Sequence, residues 1–461
     1  MNFKNYCFLL LSSLFITACS SDDSDDYVPT PIETNSVTAQ VNQNESVEVD
    51  VLANDSNVPT SGVLTASNAA NGSLQIVDPN NTPDNPSDDL VRYTPNEDYI
   101  GQDTFQYTIC DDRDNCASNT VTVTVIETSP VNYDLNAMPY DTLSEYNFFE
   151  GDLANLSPVY GVIPYEPISS LFTDYAKKKR FVWMPSDVSA SYVSDYETLD
   201  FPTGSILIKN FYYDNVLPGN TTQIIETRLM IKKENEWIFA NYVWNESQTE
   251  ASYDMAGSFV PIEWVQNGET YSVNYRIPAE PQCFICHKSG STSIPIGPKP
   301  QNLDKVYNYA DGAQNQMAKF AEMGYLESNY PSDIQSVVDY SDTSESLEMR
   351  VRSYFDINCA HCHTDLGHCD YRAIRLAFHE NHAPENMGVC VEPDTDISIF
   401  LDGYNPTHIV YPGDIEKSVV YFRMDTQLEN LQMPLVGRSL IHQEAVDLVV
   451  DWINSLEGSC E

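Results

Sequence analysis

Leu347-Glu348-Met349-Arg350-Val351-Arg352-Ser353-Tyr354-Phe355-Asp356-Ile357-Asn358-Cys359-Ala360-His361-Cys362-His363 joins a helical pattern to a chemical one. Leu347, Val351, Tyr354 and Phe355 fall on one face of a helix. Asp342-Thr343-Ser344-Glu345 ahead of them has the form of a capping box, so a helix is predicted to run to Asn358. It delivers Cys359-Ala360-His361-Cys362-His363, a C-x-x-C-H motif. Two thiols at this spacing can add to the two vinyl groups of one haem, and the His that follows offers its imidazole to the iron. Cys283-Phe284-Ile285-Cys286-His287 repeats the pattern after the strand-like Tyr271 to Ile277. A thioredoxin-like C-x-x-C wants a βαβ setting, and a Cys₂His zinc site needs a closing ligand. Neither is evident around these motifs. A final helix is read from Ser439 to Leu456, its stripe formed by Ile441, Ala445, Leu448, Val449, Trp452, Ile453 and Leu456.

Met433-Pro434 lies 70 residues beyond His363 (433 − 363). A thioether is a soft ligand for haem iron, and His/Met ligation raises the reduction potential. With Trp452, this stretch resembles class I cytochrome c domains. The resemblance implies Met433 as distal ligand and two terminal helices crossing beside the haem. If Met433 is core filler, Met424 is the fallback. For the first motif the sixth ligand is Met255, Met317, Met323, a His, or none, and no spacing decides. Beyond the motifs, Leu171-Phe172-Thr173-Asp174-Tyr175-Ala176 with Lys179-Arg180, Glu226-Thr227-Arg228-Leu229 and Tyr242-Val243-Trp244-Asn245 resemble a family of bacterial di-haem c-type cytochromes. That resemblance covers about 131–461 and implies two covalent haems with no known substrate. Cys369 and Cys390 are read as a disulfide within this segment, and Cys460 has no evident partner. His368, His379, His382 and His408 are read as solvated loop residues.

The chain begins Met1 to Ala18 with a short apolar run, Phe8 to Ile16, too short to span a bilayer, which reads as a secretory signal. Ile16-Thr17-Ala18-Cys19 resembles a bacterial lipobox, implying cleavage before Cys19 and its lipidation. The acidic Ser20 to Asp26 run then marks residues 19–35 as a solvated tether. Residues 36–127 read as an all-β module: Val47, Val49 and Val51, and again Val121, Val123 and Val125, alternate with polar residues. Val51-Leu52-Ala53-Asn54-Asp55, Tyr93-Thr94-Pro95-Asn96 and Gly101-Gln102-Asp103-Thr104-Phe105 resemble bacterial cadherin-like and immunoglobulin-like modules. Cys110 and Cys116 bracket an acidic turn and are read as a disulfide. The turn's default is solvation, with Ca²⁺ on its hard oxygen ligands as the alternative.

The 461 residues carry 23 Lys+Arg against 68 Asp+Glu, a net charge of −45, which excludes a nucleic-acid binder. The dense basic run Lys177-Lys178-Lys179-Arg180 is read as internally paired or solvated. The expected architecture is therefore an N-terminal β-sandwich, a central mainly-β domain (131–282), a first haem segment (283–340) and a mainly-α cytochrome c-like domain (341–461). The expected protein is an outer-membrane lipoprotein, exposed at the cell surface or facing inward, that passes electrons to a redox partner. It would touch membrane only through its lipid. The alternative is a haem-dependent oxidoreductase, peroxidase-like or substrate-oxidising, using the first haem and the central domain.

Overall fold

The computed structural model describes residues 30–460 apart from Asp402. The signal segment and Cys19 lie outside these residues, as does most of the tether. The chain divides into two compact units, Met1–Thr128 and Ser129–Glu461.

In the first unit, β1 (Val37–Asn42), β7 (Cys116–Ile126), β6 (Gly101–Asp111) and β3 (Gly62–Ala66) form one sheet in that order. Strands β2 (Val47–Val49), β5 (Leu90–Pro95) and β4 (Gly72–Val77) form a second. Alternate residues point inward, so Val91, Tyr93, Tyr107, Ile109, Val121 and Val123 are completely buried. Buried Asp103 accepts the Tyr93 hydroxyl at 3.0 Å and the Asn71 N–H at 2.7 Å, so its charge is spent locally. Cys110 and Cys116 are disulfide-bonded across the ends of β6 and β7. Within the acidic turn, Asp111 accepts the N–H groups of Arg113 and Asn115.

The second unit is built on a sheet of eight strands. A short pair, β8 (Phe149–Glu150) and β9 (Ser157–Pro158), precedes it. The sheet runs β10 (Ile163–Tyr165), β11 (Lys177–Trp183), β12 (Ile206–Val216), β13 (Thr221–Lys232), β14 (Trp237–Trp244) and β15 (Ala251–Tyr253). The hairpin β16 (Ser258–Gln266) and β17 (Glu269–Ile277) joins through β12. One face carries Phe181, Trp183, Ile206, Ile208, Leu229, Ile231 and Tyr242, which pack on the Tyr146 and Phe148 side chains. The opposite face carries Val182, Leu207 and Met230, covered by Leu303, Met317 and Phe320. Both faces are occupied, which is why these strands read as nearly continuous apolar runs.

Residues 341–461 do not form the expected mainly-α cytochrome c-like domain. Among the described residues strand dominates, at 32% against 15% helix, the helix in six short pieces. Three lie in this segment: α4 (Leu347–Phe355), α5 (Val419–Met424) and α6 (Gln443–Ser455). They follow α1 (Glu280–Cys286), α2 (Pro300–Leu303) and α3 (Gln316–Glu322). Helix α4 starts later than its predicted cap, because Ser346 accepts the Met349 N–H while Asp342 closes its own turn with Ser344. Between α4 and α5, Pro384, Pro393, Pro406 and Pro412 remove backbone donors at close intervals. The chain there runs in turns and short helical pieces around Val351, Tyr354, Phe355, Trp452 and Ile453. These side chains form a core cluster of their own within the second compact unit, Ser129–Glu461.

The expected Cys369–Cys390 bond is not formed. Cys390 bonds to Cys460, 70 positions away, and Cys369 is a buried free thiol. The tail after α6 returns past the loop that carries Cys390, a long-range approach that sequence proximity does not reveal. Closing so long a loop restricts the unfolded chain, so Cys460→Ser is expected to lower stability by about 2–4 kcal/mol. Cys369→Ser should leave intact the protection that the bond gives, and denaturation with and without reductant separates the two variants.

Candidate functional site: two adjoining cavities

Helix α1 follows β17 after two residues and carries the first motif. Pro281 opens it without needing an N–H, and Gln282 accepts the Ala279 N–H at 3.0 Å. One helical turn sets Cys283 and Cys286 three residues apart. His287 ends the helix, its N–H donating to the Cys283 carbonyl at 3.0 Å. The His287 ring nitrogen Nδ1 lies 2.8 Å from the Ile294 carbonyl oxygen. A carbonyl only accepts, so Nδ1 carries the proton and Nε2 keeps its lone pair. Burial pushes the His287 pKa down to about 4.

The second motif hangs from α4 through a π-helical turn, Asp356–Ala360. Buried Asp356 anchors that turn by accepting Gln301 Nε2 and the Phe378 N–H, each at 3.0 Å. Asn358 accepts the Phe172 N–H at 2.8 Å, which ties the motif to the segment before β11. The N–H groups of Cys362 and His363 both donate to the Cys359 carbonyl at 3.1 Å. Burial pushes His363 down to about 4 and Cys359 up to about 12.

Each motif opens on its own cavity. Cys283, Cys286 and His287 line one with about 1190 Å³ of empty volume, facing Met230, Met255 and the sheet. Cys359, Cys362 and His363 line the other, of about 1210 Å³, facing Met424 and Met433. The Met433 N–H donates to the Arg423 carbonyl, and Arg438 Nε donates to the Met433 carbonyl at 3.0 Å, so this loop is fixed at both its backbone groups. Cys286, Asn358, His361, Pro434 and Val436 belong to both linings. At that shared wall, ligand atoms of Cys286, His361 and Cys362 lie within 4.8 Å of one another. The Cys362 thiol donates to the Ile285 carbonyl oxygen at 3.7 Å; the closeness of the two thiols holds Cys286 well below the usual range and pushes Cys362 up.

Cys359, Cys362, His363 and Met433 thus share one cavity, and Cys283, Cys286 and His287 share the other. Met255 faces the first motif's cavity, whereas Met317 is packed in the core with Met323 beside it. His368, His379, His382 and His408 line neither cavity; His379 stacks on Tyr196 at 3.7 Å. Sequence reasoning missed Met230, Lys209 and Arg228 on the sheet wall and His361 between the cavities. The strand alternation around Lys209 and Arg228 was the available signal.

The family match lies within the first unit. Residues 26–124 match the bacterial Ig domain family. The chain therefore contains a bacterial Ig-like domain. Such a domain suggests an extracellular or surface protein. No helix among the described residues is long and apolar enough to cross a membrane. No curated protein matches the chain. Among solved structures, a Photobacterium 2,6-sialyltransferase is 18% identical with a TM-score of 0.16, over 21% of this chain and 18% of that one. An endo-fucoidan hydrolase of glycoside hydrolase family 107 is 11% identical with a TM-score of 0.16, over 54% of this chain and 28% of that one. The extracellular cadherin domains of protocadherin gamma B7 are 8% identical with a TM-score of 0.18, over 54% and 76%. The chain spans less than a third of the first two structures, and no shared fold is inferred from scores this low.

Proposed function

We propose that the second unit is a di-haem c-type electron-transfer protein, exported and held at the cell envelope through lipid on Cys19. The observation that carries this reading is the pairing of each C-x-x-C-H motif with its own cavity. Each cavity offers two thiols, a neutral buried imidazole and a facing Met thioether, a donor set that fits a covalently attached haem. Cys283 and Cys286 would hold one macrocycle with His287 as ligand; Cys359 and Cys362 would hold the other with His363 and Met433. Met255, which lines the same cavity, would be the second ligand there. A bound haem supplies a one-electron iron couple, and this chain's residues tune it through burial and ligand identity. The shared wall would bring the two groups next to each other, as stepwise electron passage requires. The reading needs no cytochrome c-like helical domain, since it rests on the motifs and the cavities they line.

With a net charge of −45, the redox partner is expected to be basic and its association to weaken with salt. A pyridine haemochrome assay on the denatured, exported protein should give two haems per chain, and none would end the proposal. One observation favours a second reading: Cys286, His361 and Cys362 form a three-ligand set for a soft divalent metal. Stoichiometric zinc in protein lacking haem would select it.

A further inference from the structure

Strand alternation splits the basic run Lys177 to Arg180 between the two faces of β11. Lys177 and Lys179 point out to solvent, and Lys177 pairs with Asp214 at 2.7 Å. Lys178 and Arg180 point in. Arg180 stands directly opposite Lys209 on β12, and Lys209 stands directly opposite Arg228 on β13. Three cations thus form one row across three adjacent strands, with Lys178 one pleat away on the same face. Like charges in direct register repel and destabilise a sheet.

The carboxylates nearby do not balance this row. Glu226, with no exposure, accepts Arg228 Nε at 3.0 Å and the Tyr275 hydroxyl at 2.7 Å. Asp174 is spent on the N–H groups of Ser439 and Leu440, at 2.6 and 2.7 Å. Glu166 pairs with Lys305. Among the described residues, no ion pair reaches Lys178, Arg180 or Lys209. Lys178 and Lys209 meet only the ring of Phe211, at 6.0 and 4.9 Å, a quadrupole rather than a charge. Arg180 is 8% exposed. Four basic side chains face one carboxylate here, in a chain with three acids for each base: Arg180 is buried and Lys178, Lys209 and Arg228 are half-buried, a local inversion of charge that is costly to withdraw from water without a counterion. Burial, reinforced by these neighbours, holds Lys178 and Lys209 well below the usual lysine range.

Lys209 and Arg228 line the cavity that Cys283 and His287 also line. We propose that Lys209 and Arg228, with Arg180 next to Lys209 in the row, form a carboxylate-binding site on the sheet wall of that cavity. Guanidinium forks and ammonium groups suit a carboxylate ligand. Its source is either the propionates of the tetrapyrrole held by the first motif or a free small dicarboxylate. The first source rests on the haem reading proposed above; the site itself does not.

The test uses the full chain with haem counted, as wild type, Lys209→Met, Arg180→Met and Lys209→Arg. Each is followed by haem-resolved redox titration and by thermal unfolding with and without succinate. If propionates fill the site, losing either cation favours the oxidised haem. The oxidised-to-reduced ratio at fixed potential then rises about tenfold, a fall of ~59 mV for one electron, and succinate does nothing. Lys209→Arg keeps the wild-type potential. If a free dicarboxylate is the ligand, succinate raises the wild-type melting temperature and not that of the methionine variants. Should either methionine variant fail to fold, the other and the wild-type succinate titration still decide. Unchanged potentials together with no succinate response overturn the proposal. A chain with no haem removes the functional reading, and the succinate arm alone then judges the site.

Discussion

Alanine at both Cys359 and Cys362 is expected, on the proposed di-haem function, to lower covalently bound haem from two per chain to one. Thioether attachment needs both thiols, and no other cysteine pair has the spacing to replace them. Cys369 borders the same cavity, but its position beyond His363 cannot reproduce the C-x-x-C geometry. The remaining haem, at Cys283 and Cys286, should show a changed spectrum and potential, because Cys286 and His361 wall both cavities. The double variant should also lose stability, since a haem bound there would pack on Leu376, Val419 and Tyr354 and its loss would expose them. Haemochrome assay and mass spectrometry read the outcome directly. Two covalent haems in this variant would show that the second motif is not an attachment site.

The two C-x-x-C-H motifs are visible in the sequence because residue type and spacing define them together, independent of the surrounding fold; the structure adds the cavity that each one lines. The β-sandwich was legible for a different reason: Val121, Val123 and Val125 alternate on a half-buried strand, and period 2 survives in the sequence. The C-terminal architecture was not. The helices α4 and α6 are amphipathic and were found within a few residues, but two helices do not make a helical domain. Residues 364–418 are held by burial of scattered side chains such as Leu376, Met387 and Val410, which leave no periodic trace. The Cys390–Cys460 bond depends on the path of the tail after α6, which no local spacing encodes. Lys178 and Arg180 were read together with Lys177 and Lys179 as one basic patch. Only the strand assignment separates the outward pair from the inward one, and only the register reveals Lys209 and Arg228 beside Arg180.

That register also sets the largest expected stability effect. Glu226→Gln keeps the side chain's shape and removes its charge. The variant leaves Arg228 without its carboxylate and the row Arg180, Lys209 and Arg228 without any acid in contact. Breaking a fully buried ion pair by removing one partner costs about 3–5 kcal/mol; Glu226 is fully buried but the Arg228 side chain keeps 29% of its exposure, so the low end of that range is expected. A domain's whole stability is about 5–15 kcal/mol, so this variant should melt far below wild type. Tyr275→Phe supplies the contrast. It deletes one hydrogen bond to Glu226 without changing the charge balance, and should cost about 1 kcal/mol. Adding Lys209→Met to Glu226→Gln should recover part of the loss, since it removes the cation that faces both Arg180 and Arg228. Side chains in contact couple in this way, whereas distant ones simply add. Urea denaturation of the single and double variants measures the coupling. If Glu226→Gln costs no more than Tyr275→Phe, or if Lys209→Met deepens the loss, the charges in this row do not act on one another as their register requires.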